Sequence, residues 1–269
     1  MLFRSVCETP NPGYRFINWT EGDTVVSTSA SYDFTINGDR TLVANFMPVA
    51  AHDFDGDGKA DILWRHSGGG VGMWLMDGAT PKVQGSLGAI DTAWQIAGTA
   101  SLVASTGDVD ADSKADFFWR HSGGGLGLWL MNGISTKAQI GLGSVDTAWQ
   151  IAGVGDFDGD GNADILWRHS SGALGVWLMD GTTVKAQVGL GTVDTAWQVV
   201  GIGDFDGDGK ADILWRHSGG SLGLWLINGA TVKSVLPNLT QQRTENQSSS
   251  DQSIRAQSNG SELNNRNPT

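Results

Sequence analysis

One tetrad constrains the fold more than anything else in the sequence. Trp-Arg-His-Ser occurs four times, starting at Trp64, Trp119, Trp167 and Trp215, at intervals of 55, 48 and 48 residues. The longer first interval is accounted for by extra material, "TASLVAST", at Thr99–Thr106. A period in the forties means one supersecondary unit per repeat, stacked against its neighbours. The third copy reads "DTAWQIAGVGDFDGDGNADILWRHSSGALGVWLMDGTTVKAQVGLG". It parses into four short strands, "WQIAGVGDF", "ADILWRHS", "LGVWLMD" and "TVKAQVGLG". They are separated by an Asp/Gly loop, a Ser-Gly turn and an Asp-Gly turn. Asp-Gly and Asn-Gly between apolar runs are hairpin signals.

The third strand of each repeat decides how the units pack. In "LGVWLM" one parity gives Leu174, Val176 and Leu178, and the other gives Gly175, Trp177 and Met179. Both faces are apolar, as they are at Val71–Met76, Leu126–Met131 and Leu222–Ile227. A sandwich strand with one wet face would alternate apolar with polar. Four-stranded sheets buried on both faces and repeated at this period suit the radially packed blades of a propeller. The expected fold is therefore all-β: a β-propeller of four-stranded antiparallel blades, four of them in this chain, preceded by a small β segment.

The acidic loop "DFDGDGKAD" (Asp53–Asp61) carries the chemistry. Its pattern is Asp-x-Asp-x-Asp-Gly-x-x-Asp, and only one basic residue, Lys59, lies inside it. Side chains at positions 1, 3, 5 and 9, with the backbone carbonyl at position 7, can converge on one hard cation. Calcium accepts six to eight oxygens in irregular geometry, whereas magnesium demands a strict octahedron and keeps its water. In the first copy the ligands would be Asp53, Asp55, Asp57, Asp61 and the Lys59 carbonyl. The third copy offers Asp156, Asp158, Asp160, Asp164 and the Asn162 carbonyl. The fourth offers Asp204, Asp206, Asp208, Asp212 and the Lys210 carbonyl. The second, "DVDADSKAD", keeps Asp108, Asp110, Asp112, Asp116 and Lys114, but Ala111 and Ser113 replace the two glycines. A left-handed turn disfavours both side chains, so this site is expected to bind most weakly.

An EF-hand needs a Glu at position 12 and helices on either side. Position 12 of the first loop is Trp64, and "ADILWRHS" reads as strand. Four carboxylates without a counterion would repel one another, which disfavours a loop that merely turns. Four bound Ca²⁺ would move the formal charge from -12 to -4.

Loop, strand and period together resemble the FG-GAP/VCBS repeat, the calcium-binding blade of integrin-α-like propellers, over roughly Phe46–Leu236. The resemblance implies an extracellular, calcium-stabilised module used in adhesion, in lectins, or beside secreted enzymes. Family propellers usually have about seven blades. Four blades therefore imply a small ring, part of a larger one, or self-association that completes the propeller. Ahead of the blades, Gly13-Tyr14-x-Phe16, Trp19, Phe34 and Leu42-x-Ala44-x-Phe46 resemble the second half of a divergent internalin B-type repeat, so the chain is expected to begin inside that unit. The expected divisions are 1–46 for this segment, 47–236 for the blades and 237–269 for a disordered tail rich in Gln, Ser and Asn.

Charge narrows the partners. Seventeen Lys and Arg against 29 Asp and Glu argue against nucleic acid, which needs a basic patch, and against an anionic membrane surface. No apolar stretch is long enough to insert in a membrane, "MLFRSVC" is too short for an export signal, and the single Cys7 allows no intrachain disulfide. Secretion or display on a bacterial-type cell surface is expected. His66, His121, His169 and His217 tempt a catalytic reading. Four equivalent copies do not make one asymmetric active site, however, and no Glu lies in the blades to act as a glycosidase acid. A non-catalytic module is expected, recognising a glycan or an extracellular protein. The alternatives are an appendage of a larger secreted enzyme and a purely structural repeat. Trp94, Trp149 and Trp197 of "DTAWQ" are the candidate ligand-binding residues. Trp74, Trp129, Trp177 and Trp225 are expected mainly in the inter-blade core.

Overall fold

The structure is a computed structural model and describes residues 3–8, 14–48, 50, 52–97 and 106–236. Among these there is no helix, and hence none long and apolar enough to cross a membrane. The expected tail and most of the "TASLVAST" insertion lie outside the described residues.

Among the described residues the N-terminal unit has five strands: β1 (Phe3–Cys7), β2 (Tyr14–Glu21), β3 (Thr24–Ser27), β4 (Ser31–Thr35) and β5 (Val43–Pro48). Strand β2 sits between β3 and β5, and β1 pairs with β4. Trp19 is buried here, with Phe16 5.8 Å from it and from Phe46 between ring centres. The Arg40 guanidinium donates to both carboxylate oxygens of Glu21.

Among the described residues four antiparallel sheets follow. The first has β6 (Ile62–Arg65), β7 (Gly70–Asp77) and β8 (Thr80–Ala89). The second has β9 (Trp94–Ile96), β10 (Thr106–Gly107), β11 (Asp116–His121), β12 (Gly125–Asn132) and β13 (Ser135–Ser144). Strands β9 and β10 both pair with β11, so together they stand where the other blades have one innermost strand. The insertion falls between them. The third comprises β14 (Trp149–Gly155), β15 (Asp164–His169), β16 (Ala173–Asp180) and β17 (Thr183–Thr192). The fourth comprises β18 (Trp197–Gly203), β19 (Asp212–His217), β20 (Leu222–Asn228) and β21 (Thr231–Leu236). Each is a simple meander in sequence order. The Asp-Gly signal is met at Asp180, which pairs with Thr183 across a two-residue turn.

Packing follows the two apolar parities. Among the described residues the core is divided into three clusters, and each lies between successive blades. Phe54, Val71, Met73 and Leu75 of the first blade meet Phe117 and Trp119 of the second. Phe118, Leu126 and Leu128 meet Ile165 and Trp167. Leu166, Leu174 and Val176 meet Ile213 and Trp215. Each inner blade thus buries both faces, which is why β12 is buried at six consecutive positions. At about 25 cal/mol per Å² of apolar surface, this stacking is the main stabilising term. The sheets stack as propeller blades.

Candidate metal centre

Each acidic loop joins the innermost strand of its blade to the next one out, or precedes β6 in the first blade. Its first carboxylate organises the turn. Asp53 Oδ1 accepts the N–H groups of Gly56 (2.7 Å) and Asp57 (3.1 Å), and Oδ2 accepts that of Gly58 (2.8 Å). Asp156 and Asp204 repeat this set. Gly56 and Gly58 have φ of 78° and 83°, the left-handed region that glycine enters without a Cβ penalty.

The ninth-position carboxylate anchors the loop to the sheet. Asp164 is fully buried, accepting from Phe157 N (2.8 Å) and Met179 N (2.7 Å). Asp61, Asp116 and Asp212 make the equivalent pair of bonds. The seventh residues, Lys59, Lys114, Asn162 and Lys210, donate their backbone N–H to the fifth-position carboxylates at 2.9–3.0 Å.

The result is a carboxylate cluster in every blade. Oxygens of Asp53, Asp55 and Asp57 lie within 4.8 Å of one another, as do those of Asp108, Asp110 and Asp116; of Asp156, Asp158 and Asp164; and of Asp204, Asp206 and Asp212. Two atoms bear on what such a cluster fits. Asp55 Oδ1 and Asp110 Oδ1 are buried and have no hydrogen-bond partner. A buried carboxylate oxygen without a partner is costly, and a hard cation is the group that satisfies several such oxygens together. The donor set, all oxygen, suits Ca²⁺.

The loops are not without counter-charge, as the sequence had suggested. A lysine 25 residues beyond each fifth-position aspartate reaches back to it. Lys82 Nζ lies 2.6 Å from Oδ2 of both Asp55 and Asp57. Lys137 meets Asp110 and Asp112 at 2.5 and 3.1 Å, Lys185 meets Asp158 and Asp160 at 2.8 and 2.6 Å, and Lys233 meets Asp206 and Asp208 at 2.6 and 3.0 Å. All four engage Oδ2 atoms, on the opposite oxygen from the unpartnered Oδ1 of Asp55 and Asp110. The signal was in the sequence: each is the third residue of its blade's outermost strand. No local spacing shows it, because the lysine lies on a different strand from the loop.

Electrostatics splits the carboxylates. Burial, with the neighbouring carboxylates adding to it, outweighs the backbone donors and pushes Asp116 and Asp164 up to about 7 and Asp108 to about 6. Asp61, Asp156 and Asp212 are raised for the same reason. At Asp57, Asp160 and Asp208 burial also pushes upward, but the lysine ammonium and the seventh-position N–H overcome it and the pKa falls.

The second loop departs where its glycines are missing. Ala111 and Ser113 adopt φ of 56° and 69°, which side-chain-bearing residues enter only at a cost. Asp108 keeps the bonds from Asp112 (3.0 Å) and Ser113 (2.7 Å) but lacks one from residue 111, which the three other loops make.

Three of the four Trp-Arg-His-Ser tetrads place their tryptophan in a blade junction. Trp119, Trp167 and Trp215 are 2 % exposed in the inter-blade cores. Each lies under the arginine of the preceding blade: Arg65, Arg120 and Arg168 stand 5.4, 5.6 and 5.1 Å from the respective ring centres. The same guanidiniums donate to backbone carbonyls, such as Asp91, Val145 and Asp194. His66, His121 and His217 accept a backbone N–H from the following glycine at Nδ1, as His169 does from Ser171. Trp94, Trp149 and Trp197 meet the edges of His121, His169 and His217 at 5.0–5.1 Å and remain half-buried. Trp149 also lines a cavity of about 330 Å³ with Trp177, Leu174 and Gln187.

Comparison with known families gives two matches. The model described as FG-GAP-like repeat matches residues 53–119, 108–167 and 156–215, each window running from one acidic loop to the tetrad tryptophan of the following blade. The model described as divergent InlB B-repeat domain matches residues 5–50. No curated protein matches the chain.

Proposed function

This chain belongs to the FG-GAP-like repeat family, and from that premise we propose that it is an extracellular recognition module whose blades are stiffened by Ca²⁺ held in the acidic loops. The observation that carries the reading is the unpartnered, buried Oδ1 of Asp55 and of Asp110 within carboxylate clusters that span under 4.8 Å. Positions 1, 3, 5 and 9 of each loop would supply the side-chain oxygens, with the carbonyls of Lys59, Lys114, Asn162 and Lys210. Bound Ca²⁺ would neutralise the buried carboxylates and tie each inner strand to its neighbour. Because Asp53 O, Asp108 O and Asp156 O accept the N–H of Ala115, Ala163 and Ala211 in the next blade, a stiffened loop also stiffens the blade junction. Thermal melting in millimolar Ca²⁺ against EDTA tests this: a ligand of the native state raises stability, and equal melting temperatures contradict it.

Both matched families are typical of surface proteins, which supports an extracellular setting. The ligand class we favour is a glycan. Trp149, Trp177 and Gln187 line the cavity of about 330 Å³, and an apolar ring face beside an amide suits a sugar's C–H face and hydroxyls. A glycan array read with and without Ca²⁺ tests it. Binding lost in Trp149→Ala supports the assignment, and absence of binding to any sugar favours a protein ligand or a structural repeat.

A further inference from the structure

The blade junction occurs three times among the described residues, and each time the same two half-surfaces make it. In the third junction Phe157, Leu166 and Val176 project forward onto Ile213 and Trp215 of the next blade. Arg168 lies over Trp215, and backbone bonds of 2.6 Å (Ala211 N to Asp156 O) and 2.8 Å (Gly229 N to Phe157 O) lock the register. Phe157 and Ile213 are 0 % exposed and Trp215 is 2 % exposed.

The two outer blades each present one half of this junction without the other. On the first blade the receiving half is open: Ile62 is 43 %, Trp64 40 % and Trp74 36 % exposed. On the fourth blade the forward half is open. Phe205, the equivalent of Phe157, is 49 % exposed, and Leu214 and Leu224 are only half-buried where Leu166 and Val176 are fully covered. No indole lies over Arg216 among the described residues. Solvent-facing aromatic patches of this kind mark interaction surfaces. Here the complement of each patch is carried by the other outer blade among the described residues.

We propose that the fourth blade of one copy docks on the first blade of a second copy, through the junction already used three times inside the chain. Phe205 enters the position that Phe157 holds at Ile213, and Arg216 caps Trp64 of the partner copy as Arg168 caps Trp215. The contact is head-to-tail: two copies close into a ring of eight blades if the rotation permits, and string into longer assemblies if it does not. The inference does not depend on Ca²⁺ or on a glycan.

Sedimentation equilibrium of the full chain over about 1–100 μM, the range in which micromolar contacts form, tests it. The native chain should associate with rising concentration. Trp64→Glu and Phe205→Glu should each stay monomeric, with unchanged circular dichroism because both positions face solvent. Mixed together, the two variants should form a one-to-one dimer, since each keeps the half that the other lacks. A native chain that stays monomeric overturns the proposal, as does association indifferent to both substitutions or a mixture that does not pair. Calcium binding measured on the same samples separates this failure from that of the metal reading.

Discussion

Lys137 Nζ lies 2.5 Å from one oxygen of Asp110, while the other oxygen of that carboxylate is buried with no partner at all. The lysine therefore orients the carboxylate without satisfying its inner face. This arrangement predicts opposite effects of Lys137→Met on the two states. Without metal, the variant should melt lower, because Asp110 and Asp112 lose their counter-charge. With Ca²⁺, affinity at the second loop should rise several-fold, since removing one unit charge a few ångströms away is worth about 1 kcal/mol even at the permittivity of water. Isothermal titration in low salt checks this. A fall in affinity would mean that the ammonium helps to build the site.

The second loop carries strain that glycine would release. Ala111→Gly and Ser113→Gly each remove a left-handed φ on a residue with a Cβ, worth about 1–2 kcal/mol, against about 0.5–1 kcal/mol of added chain entropy. Each should stabilise the protein slightly in EDTA and bring calcium affinity at this loop toward that of the others. Denaturant midpoints read the first effect and titration reads the second.

Metal-free stability should depend on pH in a direction unusual for carboxylates. Asp116 and Asp164 are raised to about 7 from 3.8, so the unfolded chain ionises them first. Each contributes nothing below pH 4 and destabilises progressively as pH rises toward 7, by a few kcal/mol at most from about 1.4 kcal/mol per unit. Asp57, Asp160 and Asp208, lowered by their lysines, act only at the acid end, where their contribution is lost as pH falls below 3.8. In EDTA the melting temperature should therefore decline between pH 4 and pH 7, and Ca²⁺ should reverse the decline. A melting temperature that rises over this window would contradict the burial of these two carboxylates.

The repeat supplies its own control for junction packing. Phe157 is 0 % and Phe205 49 % exposed at equivalent positions. Phe157→Ala should cost about 3–5 kcal/mol, as a buried Phe truncation does. Phe205→Ala should change the stability of the dilute protein by less than about 0.5 kcal/mol. Urea denaturation of the two variants side by side decides it.

Much of this was legible before any coordinates. The 48-residue period, the doubly apolar third strand and the Asp-Gly turns specify the blades because each is a local or next-neighbour constraint. The acidic loop was legible because its spacing is self-contained. What escaped were contacts made between strands or between blades. Lys82 and its equivalents reach the loop from the outermost strand. The arginines of the tetrads find their tryptophans one blade ahead. The tetrad histidines, ambiguous in one dimension, are explained once Gly68 and Trp94 stand beside His66 and His121. The split of the second blade's inner strand into β9 and β10 follows from an insertion whose place in the fold its sequence did not reveal.

The central claim, calcium in the acidic loops, is tested most directly by isothermal titration of EDTA-stripped protein with CaCl₂ near neutral pH. We predict up to four sites in the affinity range of extracellular modules, about 10⁻⁴–10⁻³ M, the second weakest, with one site lost in the Asp158→Ala/Asp160→Ala double variant. No heat of binding, together with a melting temperature indifferent to calcium, would contradict the account.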